Sequence, residues 1–175
     1  MIDQRIKAAV RDVKDFPKEG IIFKDITPIL KDQELCSSIV EEFVEQLKSI
    51  NFDVIAGIES RGFLFGLMIA NKMNKPFIPI RKAGKLPYKT IQQRYDLEYG
   101  SATIEMHEDA FLAGQKVLIH DDLLATGGTV EATSLLIEKM NGEIAGFSFL
   151  ISLDFLNGKE RLLKFSENNI SLASY

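Results

Sequence analysis

Twice in this chain a short apolar run breaks off at a polar turn and gives way to a helical pattern. No other feature limits the fold as much. The first run is Val54-Ile55-Ala56-Gly57-Ile58, followed by the turn Glu59-Ser60-Arg61-Gly62, a helix over Phe63 to Met73 and a second short strand, Phe77-Ile78-Pro79-Ile80. The second begins at Val117-Leu118-Ile119, meets Asp121-Asp122 and a glycine-rich turn, and continues as a helix through Leu135, Leu136 and Met140 to Asn141-Gly142. It returns as a strand from Ile144 to Leu153. Apolar runs this short and unbroken are strands covered on both faces, the habit of parallel sheets with right-handed helical crossovers. The sequence therefore predicts an α/β fold, a mostly parallel twisted sheet flanked by helices, with its ligand at the C-terminal ends of the strands.

The remaining segments fit around that frame. Ile2, Ile6, Ala9, Val10 and Val13 recur at helical spacing and stop before Pro17, and a loop with Gly20, Phe23 and Pro28 follows. Leu35, Ile39, Val40, Phe43, Val44 and Leu47 outline a second amphipathic helix, with Asp32 placed to cap it. Ala83 to Gly100 reads as a polar, irregular insertion. Beyond it Thr103, Glu105 and His107 alternate with Ala102, Ile104 and Met106, as in a half-exposed antiparallel strand. No repeat or Pro/Gly/Ser linker divides the chain, so one domain is expected over residues 1–175.

Several classes are disfavoured. A net charge of −4 does not suit a broad nucleic-acid face, which is usually basic. No apolar run approaches the ~18 residues of a membrane span, and the first residues have no secretory core, so a cytoplasmic location is expected. The single cysteine, Cys36, excludes an intramolecular disulfide and reads as a small apolar residue on a helix face. His107 and His120 have no evident nucleophile partner, and no His/Cys spacing suits zinc.

The segment His120-Asp121-Asp122-Leu123-Leu124-Ala125-Thr126-Gly127-Gly128-Thr129 carries the chemistry. Gly127 and Gly128 leave backbone N–H groups free to converge on an anion at a helix N-terminus, and the hydroxyls of Thr126 and Thr129 add to that pull. No lysine follows the glycines, so this is not a Walker loop, and there is no dinucleotide fingerprint. Asp121 and Asp122 stand just ahead of the turn, where carboxylates accept hydrogen bonds from sugar hydroxyls. A phosphate in the turn and hydroxyls on the acids together describe a ribose 5-phosphate.

That segment resembles the donor-binding signature of the type I phosphoribosyltransferases. The likeness runs nearly end to end through Phe16 to Pro28, Ile55 to Phe65, Arg81 to Pro87 and Leu97 to Gly100, blocks similar to those of the adenine-using branch. The resemblance implies a small N-terminal hood over residues 1–34 and a flexible catalytic loop over 83–100. It implies transfer of a phosphoribosyl group from phosphoribosyl pyrophosphate (PRPP) to adenine, giving AMP and pyrophosphate, with Mg²⁺ held mainly by the substrate rather than by direct protein ligands. It also implies a homodimer and a cis peptide at Glu59-Ser60.

Together with the residue chemistry, the resemblance implies these roles, residue by residue. Ala125, Thr126, Gly127, Gly128 and Thr129 grip the 5-phosphate, and Asp121 and Asp122 the ribose. Glu59, Ser60, Arg61, Arg81, Lys82 and Lys85 form the pyrophosphate site, where Arg61 offers a planar fork and the other cations a local basic patch on an acidic body. Glu98 is the acid/base candidate, with Arg61 also catalytic, and Tyr99 packs the loop or orients a phosphate. Phe23 stacks on the base while backbone groups around Ile22 and Lys24 read its edge. The plainer readings are a capped turn, a solvated cation cluster and a core phenylalanine. A transferase for hypoxanthine, guanine or xanthine, or a regulatory protein that binds the donor without reacting, remains an alternative.

Overall fold

A computed structural model describes residues 1–96 and 100–175. The parallel centre comprises β3 (Val54–Ile58), β4 (Phe77–Lys82), β7 (Lys116–Leu124), β8 (Glu143–Ser152) and β9 (Asn169–Ser174). Among the described residues, one seven-stranded sheet has the order β5 (Thr90–Asp96), β6 (Ser101–His107), β4, β3, β7, β8, β9, and β1 (Arg11–Lys14) and β2 (Ile22–Asp25) form a separate pair. Every residue of β3 is buried, as an unbroken apolar run requires. Strand order reverses between β3 and β7, so their C-terminal ends open a crevice at the switch point.

Helices cover both faces. Alternate strand residues such as Ile55 and Leu118 pack against α1 (Ile2–Ala9), α2 (Gln33–Leu47) and α3 (Gly62–Lys72). Their neighbours Val54, Ala56, Val117 and Ile119 face α4 (Gly128–Lys139) and α5 (Gly158–Leu162). Asp32 caps α2 as predicted, its Oδ1 accepting from Leu35 N–H at 2.9 Å. Asn141 takes φ 58° after α4, and Gly142 N–H closes on Ile137 at 3.1 Å. No helix of the described residues is long and apolar enough to cross a membrane.

Three local expectations change. The helical pattern of the first residues ends at Ala9, because Val10 turns extended and Arg11–Lys14 becomes β1, paired antiparallel with β2 (Ile22–Asp25). Ion pairs Arg11–Asp25 and Asp12–Lys24 join the two strands, which outweighs the spacing of Val10 and Val13. The insertion after Ala83 is not irregular throughout: Thr90–Asp96 forms β5, paired along its length with β6 (Ser101–His107). Its apolar residues Ile91 and Tyr95 settle on the α4 side of the core. Glu105, expected on a half-exposed face, is buried because the turn after β4 folds over it. Cys36 is half-buried, with Sγ 3.3 Å from Ile29 O.

Candidate functional site

The crevice is built from two turns that leave adjacent strands. After β3 the chain makes a cis peptide at Glu59-Ser60, as the resemblance implies, and enters α3 at Gly62. A Cβ on Gly62 would lie 2.8 Å from Asp121 Oδ1 and 3.0 Å from the Asp121 Cα. Only glycine lets this turn press against the end of β7. From β7 the chain passes Asp121 and Asp122 and reaches Gly127, whose φ of 80° starts α4. Glu131 N–H closes on Gly127 O at 2.8 Å as α4 begins, so the N–H groups ahead of it have no earlier helix carbonyl to donate to.

The two aspartates share a crowded environment. Asp121 Oδ1 accepts from the Asp122 N–H at 2.8 Å. Burial, and then the neighbouring Asp122 carboxylate, raise the Asp121 pKa well above the ordinary carboxylate range. Burial also raises that of Asp122, with the Arg61 guanidinium opposing it. Asp122 Oδ2 lies 3.0 Å from Arg61 Nε in an ion pair that lacks hydrogen-bond geometry.

Arg61 joins parts predicted for different tasks. Besides Asp122, its Nη1 donates to the Lys24 carbonyl at 3.3 Å, and its guanidinium stacks 4.7 Å from the Phe23 ring centre. The strand predicted to read the base, the turn after β3 and Asp122, predicted to bind the sugar, therefore meet at one side chain. Phe23 is further held edge-on by Phe16 at 5.1 Å, while Ile22 is exposed. Lys24 Nζ pairs with Asp12 at 2.7 Å and lies 3.8 Å over the Tyr175 ring, so its ammonium faces away from the crevice.

The other cations gather around Glu59. Its Oε2 accepts from Arg81 Nε at 3.0 Å and from the Lys82 N–H at 2.9 Å. Burial works against ionisation there, but the Lys82 amide and Arg81 outweigh it and lower the pKa. Glu59 thus organises the basic end of β4 and is itself an anion, unsuited to touch a phosphate directly. Arg81 also reaches the Lys85 carbonyl at 3.3 Å, and the Lys82, Lys85 and Ser60 residues are exposed.

Along the turn predicted to bind phosphate, Thr126 is exposed, Gly127 is buried and Thr129 donates to Tyr95 Oη at 3.2 Å. The turn is backed by α5, whose Gly158 presses on Ala125 and Gly127, with the Arg161 side chain beside Gly127 and Gly128. Neither α5 nor the Tyr95 contact is read from the sequence. Asn157-Gly158 is a turn signal that marks the place, but which loop it supports is a long-range matter. Glu98 and Tyr99 lie outside the described residues.

Among the described residues no three His, Cys, Asp or Glu side chains converge on one point. The acidic pair at the crevice, with Asp122 Oδ2 lacking a hydrogen bond, suits a hard cation that keeps its waters and is carried by polyphosphate oxygens.

A model of the phosphoribosyl transferase domain matches residues 25–164. The chain belongs to the phosphoribosyltransferase family. This phosphoribosyltransferase is 55% identical over 175 residues to the adenine phosphoribosyltransferase of Cytophaga hutchinsonii, covering all of this chain and 97% of that protein. Among solved structures, the adenine phosphoribosyltransferase of Thermoanaerobacter pseudethanolicus superposes with a TM-score of 0.95 at 44% identity, with both chains fully covered. The Trypanosoma brucei enzyme, solved with AMP, pyrophosphate and ribose-5-phosphate, superposes with a TM-score of 0.88 at 26% identity, covering 99% of this chain and 79% of that one.

Proposed function

We propose that this phosphoribosyltransferase moves the 5-phosphoribosyl group of PRPP to adenine, forming AMP and releasing pyrophosphate. The observation that carries the reading is the meeting at Arg61 of the Phe23–Lys24 strand, the Glu59–Gly62 turn and Asp122. One crevice thereby brings together residues suited to a flat base, a sugar diol and a polyanion. Its relatives at about half identity bear the name adenine phosphoribosyltransferase, which supports adenine as the base.

In this reading the backbone amides of Ala125 to Thr129 hold the 5-phosphate, and Asp121 and Asp122 accept from the ribose hydroxyls. Arg61, Arg81, Lys82 and Lys85 draw off charge as pyrophosphate departs and an oxocarbenium-like carbon develops. Phe23 stacks on adenine, and the backbone of Ile22 to Lys24 reads its edge. Glu98 stabilises the sugar cation and moves a proton of the base, with Tyr99 serving the loop or a phosphate, and closure over the site excludes water. When bound, Mg²⁺ supplies charge neutralisation to the polyphosphate oxygens. Holding two reactants in register supplies up to ~7–11 kcal/mol of the barrier.

The same reading treats residues 1–175 as one domain with residues 1–34 as its hood, working in the cytoplasm. A homodimer is supported by the exposed Leu64, Leu67 and Met68 along α3, and light scattering tests it. A pyrophosphate-release assay with PRPP and each purine in turn tests the function. Turnover with adenine is expected, with little for hypoxanthine, guanine or xanthine. Donor binding without turnover of any base would instead favour a sensor.

A further inference from the structure

We propose that Glu105 is a positioning residue for the pyrophosphate-binding cations, fixing the basic turn after β4 through the backbone amides of Lys85 and Leu86. The inference rests on the function proposed above.

Glu105 is 2% exposed, on an edge hairpin where a polar strand residue ordinarily faces water. A buried carboxylate is costly unless donors saturate it. Here four do. Oε1 accepts from the N–H groups of Lys85 and Leu86, each at 2.8 Å, and Oε2 from Thr90 Oγ1 at 3.3 Å and Gln92 Nε2 at 3.2 Å. Burial pushes its pKa up, yet the amides of the turn and Gln92 more than offset this, and the net direction is down.

What Glu105 holds is more telling than how it is held. Arg81 and Glu105 are register partners across β4 and β6. Lys85, whose N–H binds Glu105, offers its carbonyl to Arg81 at 3.3 Å, and Arg81 in turn binds Glu59 at 3.0 Å. Glu105 and Glu59 therefore grip the two sides of the segment that carries Arg81, Lys82 and Lys85. Glu59 supports the strand end, whereas Glu105 is the acceptor for the turn itself. Without it, two adjacent amides lose their partner and the turn loses its tie to the hairpin.

Charge and position make opposite predictions, which gives a clean test. Removing a nearby negative charge strengthens the local positive potential and by itself tightens binding of a polyanion. Loss of a positioning anchor disperses the cations and weakens it. In Glu105→Ala both carboxylate oxygens go, so the Lys85 and Leu86 amides lose their acceptor along with Thr90 and Gln92. Titration calorimetry with pyrophosphate and Mg²⁺ is expected to show at least fivefold weaker binding, with a matching rise in KM for PRPP. AMP affinity should stay within twofold. Lys85→Ala should cost much less in this background than alone, because the two act through one turn. Gln92→Leu, which removes a single donor and leaves the carboxylate, should shift pyrophosphate binding in the same direction by less. Unchanged or tighter pyrophosphate binding, or an equal loss for AMP and pyrophosphate, would overturn the assignment. If the unsubstituted protein bound neither PRPP nor pyrophosphate, the functional reading itself would fall, and this inference with it.

Discussion

Gly158→Ala tests whether α5 sets the position of the phosphate turn. In most helices replacing glycine by alanine is stabilising, by roughly 1 kcal/mol. Here a Cβ would lie 2.2 Å from the Ala125 carbonyl oxygen and 3.2 Å from Gly127 N. Carbon and oxygen make ordinary contact at about 3.3–3.6 Å, so the two backbones must part by roughly 1 Å. Neither side yields freely. Leu162 roots α5 in the core and Arg161 ties it to Glu131 at 3.2 Å, while Leu124 anchors the end of β7 and accepts from Leu153 N–H at 2.9 Å. Overpacking of this kind costs about 1–3 kcal/mol, which reverses the usual gain and lowers Tm. A shift of about 1 Å in the amides that grip a phosphate is worth about 10²-fold. Calorimetry should therefore show AMP binding weakened by about that factor, equivalent to ~2.7 kcal/mol, while adenosine, which lacks the phosphate, binds as before. AMP affinity within twofold of the unsubstituted protein, with Tm unchanged or raised, would refute the reasoning.

Asp122→Asn removes an acceptor for the ribose and the partner of Arg61, and should cost about 1.5–3 kcal/mol in kcat/KM for PRPP; unchanged steady-state kinetics would remove Asp122 from the sugar site. Glu98→Ala should lower kcat far more than it raises either KM, and the opposite pattern would deny it the proton-transfer role. Arg61→Lys keeps the charge but cannot pair, donate and stack at once, so KM should rise for adenine as well as PRPP; an effect on PRPP alone would mean that only its charge matters. His120 is buried, its Nδ1 2.9 Å from Ser148 Oγ, and burial lowers its pKa to about 3. The unfolded chain takes up a proton below its ordinary pKa of about 6.5 that the folded protein refuses, so stability should fall as pH drops from there towards 3, by at most about 1.4 kcal/mol per unit. Denaturant titrations of His120→Asn should show a flatter profile between pH 7 and 5, and an unchanged slope would sink the account.

The parts legible in the sequence were those whose signal is local. An all-apolar run such as Val54–Ile58 states its own burial, and the acid pair ahead of Thr126-Gly127-Gly128-Thr129 marks the strand end and turn that border the crevice. What escaped depended on distant partners. Strand β5 has only Ile91 and Tyr95 to bury, too few to announce a strand, and takes its form from pairing with β6. Val10 and Val13 extend a helical spacing that the chain abandons, because Arg11 and Asp12 find Asp25 and Lys24 across a hairpin. Glu105 alternates with apolar neighbours as any surface strand residue would; only the turn above it makes it a buried acceptor. Segment α5 carries no chemistry of its own, and it matters because of the turn it touches.

Arg61 shows how the site's charges depend on one another. Asp121 and Asp122 sit side by side in a buried place that favours their neutral forms, and Arg61 is the cation opposing this at Asp122. In the function proposed above, pyrophosphate is a stronger attraction for a guanidinium than one carboxylate, so a bound donor would draw Arg61 towards itself. The same donor brings hydroxyl groups that replace the lost guanidinium contact at Asp122. Its two ends therefore act on one equilibrium: the polyanion takes the cation, and the sugar satisfies the acid the cation leaves behind. A ligand with only one of these groups would leave either Asp122 or Arg61 unsatisfied. By this argument the proposed donor, a sugar and a polyphosphate joined in one molecule, satisfies both groups, where either part alone satisfies one.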